Sequence, residues 1–506
     1  MRQIELHGVF EETFTGIKSS ATPGFEAVFT NKTQSFTVPS FWDGEGRYAI
    51  RFMPQTEGEW SYTAAIDGKE LSGNFLCIPS KAHGLVKAVG EGFQYEDGTR
   101  YLPFGTTCYA WTHQTQELEE QTLATLRISP FNKVRMCVFP KSMPYNNNEP
   151  ELFPYAKKED GSWDIDRPDP EFWKHLEKRI SDLQTLGVEA DLILLHPYDR
   201  WGFSKLSPEE DVKYLKYCVA RLSAYSNVWW SLANEYDFVA SKTLEDWDCY
   251  GETVSKADIY GHLTSVHNGF VKYPKRYWTT HRSIQSGDVR KVNLWKDEYH
   301  LPVIVDECGY EGDIEYSWGN LSAFEMVNRI WTVVTRGGYC THGETFHRED
   351  EVLWWAKGGA LRGESPERIA FLRNLLQSIP ESLETAKKNA FSIDPNDKDS
   401  KALEENPFAK SLMSLPEHER NDFLSQFMPN MISSGSYSLN YLGRECRSIM
   451  DLKLPENGKY KIELIDAWEM TRTALHDSVS GNIKLRLPGK EGIAILVTRL
   501  EGEGLN

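Results

Sequence analysis

The chain has no Cys-x-x-Cys pair among its eight cysteines, which excludes zinc ribbons and thioredoxin-like redox motifs. It lacks the run of about 18 apolar residues that a membrane span needs, so no membrane partner is expected. It is short of positive charge: 56 Lys and Arg stand against 74 Asp and Glu, a net charge of −18. A surface of that sign repels phosphate backbones, so nucleic acid is not an expected partner. The opening stretch from Met1 to Phe14 lacks a basic segment followed by an apolar one. It reads directly as a strand, no secretory signal is expected, and the expected location is the cytoplasm. Cys108, Cys137, Cys308 and Cys340 fall on or beside expected buried strands, where a thiol acts as a small apolar group. Reduced core thiols are therefore expected, not disulfides.

Aromatics are plentiful at 12%, with 16 Trp, which suits either stacking on sugar rings or simply a large core. The length of 506 residues calls for several domains. Residues 1–80 read as a small antiparallel β-sandwich: Phe25 to Thr30, Ser35 to Val38, Arg47 to Phe52 and Gly58 to Ala64 largely alternate apolar with polar. Turns are expected at Pro23-Gly24, Asp43-Gly44 and Asp67-Gly68. From Gly84 the pattern becomes strand–helix alternation, and 84–380 is expected to be a (β/α)8 TIM barrel. Its expected strands are Tyr101–Cys108, Lys133–Phe139, Asp191–His196, Val228–Leu232, Leu263–His267, Trp278–Ile284, Val303–Asp306 and Gly338–Thr341. Helices start at Asp169-Pro170 and at the capping box Ser207-Pro208-Glu209-Glu210. The span Asn268–Tyr277 is too short for a full helix, so a loop must cross from strand five to strand six. Residues 381–430 read as a polar, helical linker or lid, and 431–506 as a second β-sandwich.

Two strings carry the chemistry: Ser231-Leu232-Ala233-Asn234-Glu235-Tyr236-Asp237 and Val303-Ile304-Val305-Asp306-Glu307-Cys308-Gly309. Each is an apolar run without alternation, as buried parallel strands are, and each ends in a carboxylate. A glutamate just past such a strand points into the mouth of a barrel, where barrel chemistry occurs. Two of them supply what glycoside hydrolysis needs, an acid and a nucleophile or base. Asp306 reads as an inward structural acceptor, and Asp237 as a loop or substrate contact.

An Asn-Glu after strand four with a Glu at strand seven resembles the retaining TIM-barrel glycosidases of clan A. The string Ala220 to Asp237, with Ser286-Gly287 after Gln285, is similar to the apiosidase-like branch, whose barrel sits between two β-domains. The resemblance covers nearly the whole chain. It implies Glu235 as acid/base, Glu307 as nucleophile and Asn234 as the partner of the hydroxyl beside the reacting carbon. Candidate substrate-binding residues are Asn234, His196, His267, His281, Gln285, His342 and Glu344, with Trp111, Trp201 and Trp355 as a group of stacking platforms. Arg135, mid-strand, is expected to orient Glu307 from below or to pair with a core acid. The expected activity is an exo-acting, retaining glycosidase of oligosaccharides, with no cofactor and no metal. Two alternatives stay open here. His196, Asp199, His267 and His281 offer ligands for a metal-dependent hydrolase, although no His-x-His pair opens the barrel. A non-catalytic carbohydrate-binding protein is the other.

Overall fold

A computed structural model of the chain describes residues 1–15, 24–66, 69–385 and 406–500. The molecule divides into two compact units, Met1–Gln285 with His347–Ala360, and Ser286–Phe346 with Leu361–Asn506.

The first unit begins with two small sheets. One has five strands in the order Arg2–Glu5, Lys69–Ile78, Gly58–Ile66, Glu26–Thr30 and Ser35–Pro39. The other joins Phe10–Phe14, Tyr48–Phe52 and Phe41–Trp42. Gly58–Ile66 alternates buried with exposed residues, so its register is fixed by one apolar face. The core is aromatic, with Phe29 stacked on Phe52 at 4.3 Å and Phe10 on Phe75 at 4.4 Å. One pairing departs from the antiparallel expectation: Arg2–Glu5 runs parallel to Lys69–Ile78. Of the expected turns, Pro23 and Asp67-Gly68 lie outside the described residues.

Arg51, from this β-region, forks onto Glu177 of helix α2 (Pro170–Thr185) at 2.5 and 2.9 Å. Arg221 of helix α3 (Pro208–Leu222) bonds the same carboxylate and reaches Asp43 at 3.0 Å. Burial pushes Glu177 up, but the two guanidinium groups outweigh it and hold the carboxyl below its usual range.

The first unit carries six barrel strands: β1 (Phe104–Thr107), β2 (Lys133–Cys137), β3 (Glu189–Leu195), β4 (Val228–Ala233), β5 (Thr264–Ser265) and β6 (Arg282–Gln285). β1 to β5 pair in parallel in that order, and a parallel bridge joins His267 after β5 to Ser283 of β6. Every residue of β2, β3 and β4 is buried, the charged Lys133, Arg135, Glu189 and Asp191 included. Asp169 caps α2 at 2.9 Å, and Ser207 with Glu210 forms the capping box of α3. The expected spans for strands five and six shrink to β5 and β6, and no helix lies between them. Tyr101 leaves the expected first strand and, as Arg100–Tyr101, joins a small antiparallel sheet with Val86–Val89 and Gly92–Tyr95.

The second unit carries β7 (Val303–Glu307) and β8 (Tyr339–His342), paired in parallel. Its C-terminal region holds a six-stranded sheet in the order Glu384–Thr385, Met431–Ser433, Tyr437–Tyr441, Ile493–Leu500, Lys459–Asp466 and Thr471–Val479. Ile449–Lys453 and Asn482–Arg486 add a two-stranded sheet. The helix Ala323–Thr335 packs on this region through Trp331 and Tyr441, whose rings are 5.1 Å apart. Glu384-Thr385 is a correction: expected in a helix, these residues pair with Ile432-Ser433 as a strand. The rest of that expected helix lies outside the described residues, whereas Pro407–Met413 and Glu417–Ser425 are helical. The fold class is a (β/α)8 TIM barrel with antiparallel sheets in the N- and C-terminal parts of the chain. Among the described residues no helix is long and apolar enough to cross a membrane.

Candidate active site

β4 ends at Ala233, and the chain turns sharply into a 3-10 turn, Tyr236–Phe238. Glu235 makes the turn in the left-handed region, with φ 48° and ψ 60°. A non-glycine residue there carries strain, which tends to be kept where a side chain must be aimed. Its backbone is fixed on both sides. The Glu235 N–H donates to His267 Nδ1 at 3.4 Å, and the Tyr236 N–H to the His267 carbonyl at 3.0 Å.

The Asn234 amide has one orientation. Arg135 from β2 can only donate, and its Nη2 lies 3.1 Å from Asn234 Oδ1. The amide oxygen therefore faces the guanidinium, and Tyr109 OH donates to the same oxygen at 3.1 Å. Asn234 Nδ2 then donates to Glu235 Oε2 at 2.9 Å, and Tyr198 OH reaches that oxygen too. Arg135 Nη1 donates to Ser283 Oγ of β6 at 3.2 Å. Arg135 thus orients Asn234. Lys141 is buried beside these groups, its ammonium 3.3 Å from the Tyr109 ring centre and 4.4 Å from that of Tyr198. A desolvated ammonium over aromatic faces is a fixed positive charge in this wall.

In the second unit Glu307 is the last residue of β7 and is half-buried, unlike the four residues before it. Its carbonyl accepts the Ser286 N–H at 2.9 Å. Asp306 is fully buried and accepts the Thr341 hydroxyl at 2.7 Å, which ties β7 to β8.

The other expected contacts fall in several places. His196 follows β3; burial, with Lys141 near, pushes it down to about 4, so the ring is neutral. Its Nε2–H donates to the Phe139 carbonyl at 3.1 Å. Gln285 is half-buried at the end of β6, and its side-chain oxygen accepts no bond among the described residues. Trp355 sits on a one-turn helix, Trp354–Lys357, with its ring edge-on to Tyr109 at 5.9 Å. Trp201 is half-buried, its ring covered on one side by the Arg200 guanidinium at 4.9 Å.

Three expectations need correction. His281 precedes β6 and packs against Phe93 at 5.8 Å and Trp229 at 5.4 Å, near the N-terminal ends of the strands and away from the mouth. Trp111 is 0% exposed, so it has no open face for a sugar ring. Glu344 spends its oxygens on the backbone, accepting from Arg362 N at 2.7 Å and Gly363 N at 2.8 Å. Burial pushes this carboxyl up to about 8. Glu311 beside it accepts from Glu364 N at 2.8 Å and from Ser365 N at 3.2 Å. With His342, fully buried and pushed down to about 3 by burial, these carboxylates form the one metal-compatible cluster among the described residues. The carboxylate oxygens are already turned to backbone N–H donors, so the donor set fits a loop clamp better than a cation.

Sequence reasoning did not single out Tyr109, Tyr198 or Lys141. Tyr198 stands two residues past His196, in the loop after β3, a position from which a barrel residue reaches the mouth.

The apiosidase-like catalytic-domain family model matches residues 89–381. Two domains of unknown function, DUF5060 and DUF5605, match residues 3–67 and 427–498. No curated protein matches the chain in sequence. Among solved structures, a candidate glycoside hydrolase from Bacteroides vulgatus ATCC 8482 is 35% identical, with a TM-score of 0.86 over 99% of this chain and 100% of its own. A glycoside hydrolase family 5 protein from the same organism shares the fold at 14% identity and a TM-score of 0.59, over 82% of this chain and 94% of its own. With its catalytic-domain match spanning more than half of its length, the chain belongs to the apiosidase-like family, and it is a glycosidase.

Proposed function

We propose that the protein is a retaining, exo-acting glycosidase of oligosaccharides, with Glu307 as nucleophile and Glu235 as acid/base. The observation that carries this reading is the setting of Glu235 at the end of β4: left-handed backbone, and one carboxylate oxygen taken by Asn234 and Tyr198. That arrangement aims the other oxygen as a proton donor. In the first step the Glu307 carboxylate attacks the anomeric carbon, and Glu235 gives its proton to the departing oxygen. The bond to the leaving group breaks as the ester to Glu307 forms. In the second step ionised Glu235 takes a proton from water, the water attacks the same carbon, and Glu307 is released. Asn234, with its amide locked by Arg135, donates to the hydroxyl beside the reacting carbon. Retention calls for carboxyl groups about 5–5.5 Å apart. The proposed location is the cytoplasm, in keeping with the burial of Cys77, Cys108, Cys137, Cys218, Cys308 and Cys340.

A broad screen of aryl glycosides and oligosaccharides tests the assignment, with Glu307→Ala as the blank. Glu307→Ala is expected to lose nearly all activity on every substrate cleaved. Glu235→Ala is expected to lose little on activated aryl glycosides and much on sugars with poor leaving groups, because only the latter need a proton. Equal loss on both classes would reassign Glu235. Activity lost to chelator and restored by zinc would favour metal-dependent chemistry instead.

A further inference from the structure

The acid/base strand end continues into a rigid surface feature that the chemistry above does not use. Asp237, two residues past Glu235, folds its carboxylate under the loop after β5. It accepts the backbone N–H groups of Gly269 at 2.5 Å, Phe270 at 2.7 Å and Val271 at 2.8 Å. Three N–H groups on one carboxylate make a fixed anchor. The far side of the loop is fixed as well: Tyr273 is fully buried and donates to Asp248 at 2.5 Å, and Arg276 forks onto the same carboxylate at 2.7 and 2.9 Å. Gly269 permits the close approach, because a Cβ there would lie 2.5 Å from the Phe238 ring. Between these anchors Phe270 is 86% exposed, its edge supported by Phe238 at 5.1 Å. The ring is thus held in water on a loop fixed at both ends.

We propose that Phe270 is the stacking platform for the leaving-group sugar, the ring that receives the Glu235 proton. The inference rests on the reading of Glu235 as acid/base. The group that protonates the departing oxygen borders the leaving-group side of the cleft, and Asp237, two residues and about 7 Å of chain past Glu235, accepts the Phe270 N–H. The occupant is the apolar C–H face of a pyranose or furanose ring, which a flat aromatic surface covers without needing a particular hydroxyl pattern. The platform therefore selects for oligosaccharide over glycosides with small leaving groups.

The test compares two leaving groups on one glycone. Xylobiose, mannobiose, cellobiose and arabinobiose are each paired with the glycosyl fluoride of the non-reducing sugar, and the pair that the wild-type protein cleaves best is used. Fluoride fills no sugar site and needs little proton transfer. Phe270→Ala is expected to lower kcat/KM on the disaccharide about fivefold to tenfold, mostly through KM, and to leave the fluoride rate unchanged. Phe270→Tyr keeps the ring and should keep the disaccharide rate. Unchanged rates of Phe270→Ala on both substrates would overturn the platform while leaving Glu235 in its role, as would an equal loss on both. A Glu235→Gln protein with full disaccharide activity would overturn the acid/base reading and the platform with it. A change in oligomeric state of Phe270→Ala, with disaccharide kinetics intact, would make the ring a contact between copies and likewise overturn the proposal.

Discussion

The hydroxyl of Tyr198 and the amide of Asn234 meet at one oxygen of Glu235, and each donor favours the ionised carboxylate. In the proposed acid/base role Glu235 must hold a proton for the first step and lose it for the second. Removing Tyr198 OH takes away one donor to the charged form. Tyr198→Phe should therefore move the alkaline limb of the kcat/KM profile to higher pH and lower kcat about tenfold; a pH–rate series checks it, and an unmoved limb would place Tyr198 outside the proton path. Asn234 and Glu235 are legible in the sequence because a local string holds both, at the end of an apolar run. Tyr109, Tyr198, Arg135 and Lys141 come from β2 and from loops after β1, β2 and β3, and only barrel closure brings them to β4. Arg135, expected to orient Glu307 or to pair with an acid, also bonds the Asn234 amide, a contact that its mid-strand position does not reveal. Trp111 shows how a tryptophan after a strand end reads equally as platform or core.

Strands and helices were legible where periodicity is strong. β4 is apolar apart from Ser231 and β3 runs apolar from Leu192 to Leu195, while α2 and α3 announce themselves by Asp169-Pro170 and by the Ser207/Glu210 capping box. β5 and β6 are short, four residues or fewer, and carry little pattern, so their expected spans ran long. The pairing of Glu384-Thr385 with Ile432-Ser433 was hidden for another reason: a polar dipeptide becomes a strand only when a distant edge offers it hydrogen bonds. The same non-locality hides the ion cluster of Arg51, Asp43, Glu177 and Arg221. Removing its central carboxylate leaves two guanidinium groups buried without their main partner. Glu177→Ala should cost about 3–5 kcal/mol of stability in denaturant melts, and a loss under ~1 kcal/mol would show that water or Asp43 takes over. The sign with pH follows from its lowered proton affinity. The unfolded carboxyl, near the ordinary ~4.3, binds protons more readily than the folded one. Glu177 therefore contributes stability that is present above that value and fades as pH falls below it. Wild-type melts should weaken on the acid side, and Glu177→Ala should flatten that decline.

At the scale of the whole molecule, the proposed exo action requires the pattern of products to match a site that takes chain ends. Time-resolved analysis of an oligosaccharide digest should show monosaccharide alone from the first minutes and slow attack on polymer. A ladder of mid-length products from intact polymer would replace exo action with endo action. Both patterns presuppose two carboxylates with separate tasks, one contributed by β4 and one by β7. Azide separates the tasks directly. In Glu235→Ala the glycosyl–enzyme still forms on activated substrates, and no base is left to activate water. Azide needs no base and attacks from the face opposite Glu307. The account predicts a faster Glu235→Ala enzyme in azide, and a glycosyl azide whose anomeric configuration, read by NMR, is that of the substrate. No rescue by azide, or a glycosyl azide of inverted configuration from Glu235→Ala, would contradict double displacement through Glu307.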